Sequence, residues 1–69
     1  MRTYQITLET KDCYHIESFI KEFQCLPLAL DWAKLQIGKT HKNGSEIGRV
    51  IIVQDDEDEG FVVDENTIL

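Results

Sequence analysis

At 69 residues and a net charge of −6, the chain has material for one domain, near the lower size limit at which an apolar core alone offsets the entropy of ordering the backbone. A hydrophobic share of 42% beside a charged share of 29% is that of a folded soluble protein and excludes a disordered tail. The longest purely apolar run, Val50 to Val53, falls far short of the roughly 20 residues a transmembrane helix needs, and Met1 to Glu9 alternates instead of forming a signal-peptide core, so a cytoplasmic location is expected, a host's cytoplasm included.

Thr3 to Thr10 sets Tyr4, Ile6 and Leu8 on one face and Gln5, Thr7 and Glu9 on the other, the period of a half-buried first strand. Lys11 and Asp12 supply turn chemistry. Tyr14 to Gln24 admits two readings. As an amphipathic helix it aligns Ile16, Phe19, Ile20 and Phe23; as a strand it puts Phe19, Lys21 and Phe23 on one face and Ile16, Ser18 and Ile20 on the other. The density of β-branched and aromatic residues and the hairpin chemistry before it favour the strand.

Pro27 then marks a helix start, the helix formers Leu28 to Leu35 follow, and Gly38 is placed to end it. Leu26, Ala29, Leu30, Ala33 and Ile37 share a stripe of about 100° that should pack on the sheet. Leu28, Trp32 and Leu35 fall on the opposite side, so a single sheet under one helix leaves them uncovered. Gly38 to Glu46 reads as a mildly basic loop with the turn dipeptide Asn43-Gly44. Ile47 to Gln54 reads as a third strand, apolar enough to be central, and Phe61 to Val63 as a short fourth, with Gly60 suited to a left-handed loop-closing position. Residues 64–69 are expected to form a loosely held tail. The resulting expectation is a single α+β domain over residues 1–69 in ββαββ order, one helix packed on an antiparallel sheet.

Charge is unevenly placed along this frame. Residues 1–34 carry four Lys or Arg against five acids, residues 35–49 three (Lys39, Lys42, Arg49) against Glu46, and residues 50–69 seven acids and no base. Direct binding to nucleic acid is not expected, because phosphates repel such a surface and counterion release needs Lys and Arg. Asp55, Asp56, Glu57, Asp58 and Glu59 form a run of mutually repelling carboxylates where a hairpin needs only two or three polar residues. The bland reading is a solvated loop. The functional reading is a negative surface that steers toward a basic groove on another protein and imitates a nucleic-acid backbone there.

Metal and catalytic readings are weaker. Measured against an EF-hand loop, Asp55, Glu57, Glu59 and Gly60 fall at usable positions, but Asn66 stands where the bidentate Glu belongs. Cys13, His15, Cys25 and His41 are a nominal zinc set. Cys13 and Cys25 are too far apart in a strand, or in a helix, for one tetrahedral site or a disulfide, and both thiols are expected to be reduced. Ser18 and Ser45 lack a nucleophile turn or phosphate-cradling motif. No metal, no cofactor and no enzymatic activity are expected.

In size, charge and order of elements the chain resembles the small acidic proteins that phages and mobile elements encode to block host defence, the anti-CRISPR and anti-restriction inhibitors, a resemblance of general character and not of diagnostic residues. It implies an inhibitor that presents Asp55 to Glu59, with Asp64 and Glu65, to a basic surface of a larger, nucleic-acid-handling protein. Leu28, Trp32 and Leu35 would add apolar affinity or form a homodimer through the helix face. The alternative is a structural or housekeeping subunit that associates through that helix face, its acidic loop serving solubility only.

Overall fold

The computed structural model describes residues 1–54 and 60–68. Strands β1 (Arg2–Glu9), β2 (His15–Phe23), β3 (Arg49–Gln54) and β4 (Gly60–Asp64) form one antiparallel sheet in the order β2-β1-β3-β4. Helix α1 (Leu26–Gln36) lies between β2 and β3 in the chain and packs on one face, and a short helix α2 (Glu65–Ile68) follows β4. The strand expected at Tyr14 to Gln24 is present as β2. The expected ββαββ order is extended by α2, which replaces the loosely held tail: the Asp64 carboxylate accepts the backbone N–H groups of Asn66 (3.0 Å) and Thr67 (3.1 Å), capping a turn of helix.

Alternation along β1 does what the sequence asks of it. Tyr4, Ile6 and Leu8 are buried with Val50, Ile52 and Val63 under Ala29 and Ala33 of α1, and the two alanines leave no side chain to hold the helix away from the sheet. Each fully buried aliphatic side chain in this layer contributes roughly 1.5–3 kcal/mol.

β2 departs from simple alternation. Leu8 faces Glu17 but Glu9 faces His15, so Ile16 is an extra residue, a bulge. The bulge turns Ile16 toward the core instead of leaving it beside Ser18 and Ile20, as strict alternation requires.

The two short hairpin loops share one design. Cys13 N–H donates to the Thr10 carbonyl and Thr10 N–H to that of Tyr14 (both 2.9 Å); Gly44 N–H donates to His41 and His41 N–H to Ser45 (both 2.8 Å). Each is a turn closed by a residue in the left-handed region, Gly44 at φ 92 and Cys13 at φ 69. Gly38, at φ 89, ends α1 as expected, its N–H on the Ile47 carbonyl at 2.7 Å. Gly60 does not close a loop in the left-handed region. It is a residue of β4 opposite Val53. Ile47 and Gly48 precede the third strand and do not belong to it.

Gly48 is required by contact, since a Cβ there would lie 2.5 Å from the backbone nitrogen of Lys11. Gly48→Ala is expected to lower the unfolding free energy by about 1–3 kcal/mol, read from the shift in urea midpoint. The Tyr4 hydroxyl is buried without a hydrogen-bond partner among the described residues. Removing such a group relieves a desolvation cost, so Tyr4→Phe should raise stability by about 1 kcal/mol in the same measurement; a loss would show that the hydroxyl is bonded in solution.

Candidate functional site

The residues singled out by sequence fall into three separate places. Asp55 to Glu59 lie outside the described residues. The strand ends that flank them, Gln54 and Gly60, stand at the end of the β3–β4 hairpin away from Arg49. Asp64 and Glu65 belong to the opposite end, because β4 runs four steps of about 3.4 Å, or about 14 Å, from Gly60 to Asp64. The fold therefore does not gather Asp64 and Glu65 at the end of the hairpin where the acidic run attaches. Asp64 is also committed to capping α2 and lies opposite Arg49 across the sheet.

The basic segment is likewise divided. Arg49 turns inward: its Nη1 donates to Cys13 Sγ at 2.8 Å and its Nε lies 3.6 Å from a Glu9 carboxylate oxygen. Lys39 and Lys42 stay on the exposed loop, which is fastened to β2 by His41 Nε2 and the Glu17 carboxylate, 2.6 Å apart.

On α1 the expected second apolar face is split. Trp32 is half-buried, because β2 supplies a wall for it: its ring meets Phe19 at 6.1 Å and Phe23 at 5.7 Å between centroids. The Lys21 ammonium lies 5.6 Å from the Trp32 centroid and 5.7 Å from that of Phe23, a cation–π contact that holds it over these rings. The cause is register. Lys21 faces Tyr4, and Phe19 faces Ile6, so β2 turns Phe19, Lys21 and Phe23 toward the helix. Leu28 and Leu35 find no such wall and are 46% and 67% exposed.

Those two leucines adjoin a second exposed feature. Among the described residues β2 is an outer strand of the sheet, paired only with β1, so half of its backbone donors and acceptors face outward. Ile20, on the sheet face away from the helix, is 70% exposed. An apolar helix flank beside an open strand edge is a surface chemically suited to protein, offering apolar contact and main-chain hydrogen bonds together.

Other constellations offer less. His15 Nε2 lies 3.0 Å from Ser18 Oγ, which is 3.2 Å from Thr7 Oγ1. This pair, hidden in the sequence by the bulge, sits on exposed sheet surface where water competes for every hydrogen bond. A cleft of about 280 Å³ opens among the β1–β2 turn, the C-terminal end of α1 and the 38–48 loop, with Lys11, Asp12, Glu46 and Glu65 on its rim. Its charge favours cations. Among the described residues no group of three or more His, Cys, Asp or Glu is placed to hold a metal. Cys13 and Cys25 are free, exposed thiols. No helix there is long and apolar enough to cross a membrane.

Since Trp32 packs and its two leucine neighbours do not, their substitutions should separate. Trp32→Ala is expected to lower the unfolding free energy by about 2–4 kcal/mol, while Leu28→Ser and Leu35→Ser stay within about 0.5 kcal/mol of the parent, all read by urea unfolding at a protein concentration where each chain sediments as a monomer.

The chain matches no protein-family model, no curated protein and no solved structure.

Proposed function

We propose that the protein is a non-enzymatic protein-binding module whose binding surface is the outer flank of α1 together with the β2 edge. The observation that carries this reading is the exposure of Leu28 and Leu35 on the β2 side of a helix whose neighbouring nine-residue strand keeps its outer edge unpaired among the described residues. Such exposure has no stabilising role within the chain, and burying the two side chains against a partner would contribute roughly 1.5–3 kcal/mol each. Of the two functions expected from sequence, association through the helix is the one the geometry favours, with Trp32 acting as the packed support beneath the leucines.

The second reading, a blocker of basic surfaces on a larger nucleic-acid-handling protein, is supported by the charge of residues 50–69, seven acids with no base. Here residues 55–59 supply long-range attraction, and the inhibitor of host defence is its most specific form. The separation of Asp64 and Glu65 from the ends of the acidic run confines the attraction to that run.

Affinity capture from the native host's lysate distinguishes the two. The baits are the parent chain, a Leu28→Ser/Leu35→Ser variant, and a variant with Asp55 to Glu59 changed to Asn or Ser, each at low and high salt. The helix reading expects the leucine variant to lose its retained proteins and the neutralised variant to keep them in high salt. The blocker reading expects the reverse, with binding lost on neutralisation and on raising salt. Identical retention by all three baits would reject both.

A further inference from the structure

We propose that the partner of the β2 edge is a second copy of this chain, joined by antiparallel pairing of β2 with β2 about a two-fold axis at Phe19. The inference rests on the binding surface proposed above and names its occupant.

The sheet has two edges, and they differ. β4 is five residues long, is followed at one end by α2, and leads at the other into the connection carrying Asp55 to Glu59. Short length and adjacent charge are the features that blunt a strand edge. β2 is nine residues long, and its bulge is confined to Ile16 near its start. Its lysine, which would ordinarily guard such an edge, is drawn back over the Phe23 and Trp32 rings.

Charge then selects the register. In a two-fold antiparallel pair with both helices on the same face of the joined sheet, the strand meets itself about a central residue. Centring on Glu17 or Lys21 sets like charges opposite each other. Centring on Ser18 sets Glu17 against Phe19 and Lys21 against His15, and centring on Ile20 sets Lys21 against Phe19, Glu17 against Phe23 and Glu22 against Ser18, so neither register pairs opposite charges. Centring on Phe19 places Glu17 of each copy opposite Lys21 of the other, and Ser18 opposite Ile20. Glu17 and Lys21 both point to the helix side, since they face Leu8 and Tyr4, so each pairing brings carboxylate and ammonium together on one face. Glu17 spends one carboxylate oxygen on His41 Nε2 of its own chain (2.6 Å) and has the other for Lys21 of the second copy, which has no carboxylate partner among the described residues of its own chain.

The helices complete the fit. Measured round α1 from the line of Ala29 and Ala33, Trp32 lies at about 80°, Leu28 at about 120° and Leu35 at about 140°, all to one side. Trp32 contacts β2, so that side is the β2 side, and Leu28 and Leu35 lie on the same flank of α1, turned further from the sheet. Pairing at Phe19 brings the two α1 flanks together above the seam and covers Leu28 and Leu35, while Ile20 meets Ser18 below it. Half of the large apolar side chains exposed among the described residues, Ile20, Leu28 and Leu35 against Met1, Tyr14 and Val62, thus belong to one self-complementary surface.

Sedimentation equilibrium over a concentration series is expected to give the dimer mass. Lys21→Glu, and separately Glu17→Lys, each set like charges opposite twice by symmetry and should weaken dimerisation about tenfold or more. The double exchange restores opposite charges and should recover the affinity. Register is tested without those charges in a Cys13→Ser/Cys25→Ser background: Ser18→Cys and Ile20→Cys chains, mixed and oxidised, should form a mixed disulfide dimer, which neither forms alone. A monomer mass at every concentration overturns the proposal, and so does a dimer indifferent to both charge changes with no mixed disulfide. If the chain is monomeric yet Leu28→Ser/Leu35→Ser abolishes capture of other proteins, the binding surface stands and the second copy does not.

Discussion

Everything in this fold is set by the two-sided pairing of β1. Ile6 meets Phe19 on one flank and Ile52 on the other, and Ile52 meets Phe61, so one row of apolar side chains crosses all four strands on the helix side. Because side chains alternate with a period of two, a one-residue slip of β1 against either neighbour would turn Tyr4, Ile6 and Leu8 out to water. The register of β2 and β3 is therefore fixed through β1, and that of β4 through β3. β2 and β3 are each antiparallel to β1, hence parallel to each other, and α1 must cross over β1 to connect them. One helix can cover a sheet of this size only if it comes close, and Ala29 and Ala33 allow that.

Local chemistry makes much of this legible in the sequence. The phase of β1 follows from Tyr4, Ile6 and Leu8, and the ends of α1 from Pro27 and Gly38. What was illegible depends on contacts distant in sequence. The Ile16 bulge exists only relative to the pairing of β2 with β1. Trp32 sits on the solvent side of a helix drawn alone, but Phe19 and Phe23 rise from an outer strand to meet it. Asp64 reads as one more acid in an acidic segment, whereas it caps the last helix. Gly60 resembles a loop glycine, yet its position in β4 sets it against Val53. In each case a residue type with several uses was resolved by tertiary neighbours and not by propensity.

The same holds for charge. Along the chain the basic stretch from Lys39 to Arg49 precedes the acidic stretch, an order that suits neutralisation of one by the other. In the fold, Arg49 is held by Glu9 and Cys13 at the turn end of the sheet, while His41 binds Glu17 across to β2. The inner positions of the basic loop thus serve to fasten loops to strands. The acidic run attaches through Gln54 and Gly60 at the other end of the sheet, so neither Arg49 nor the loop fastened at Glu17 stands at its points of attachment.

A one-layer sheet under one helix also leaves a whole sheet face bare, and it is natural to look there for a partner. The composition of that face argues otherwise. Ile51, Val53 and Val62 lie on β3 and β4, and Ile20 on β2, but β1 between them presents Thr3, Gln5 and Thr7. A polar central strand divides the apolar area into two stripes too narrow to act as one docking surface, and each stripe is already partly shielded by its polar neighbours. At the β2 edge, by contrast, exposed apolar side chains from helix and strand border unpaired main-chain groups. Those backbone groups supply directional hydrogen bonds that a bare apolar stripe lacks, so a partner there gains specificity of register as well as buried area. In a domain this small, whose own core is near the minimum that sustains folding, the edge is the place where association adds most to both stability and recognition.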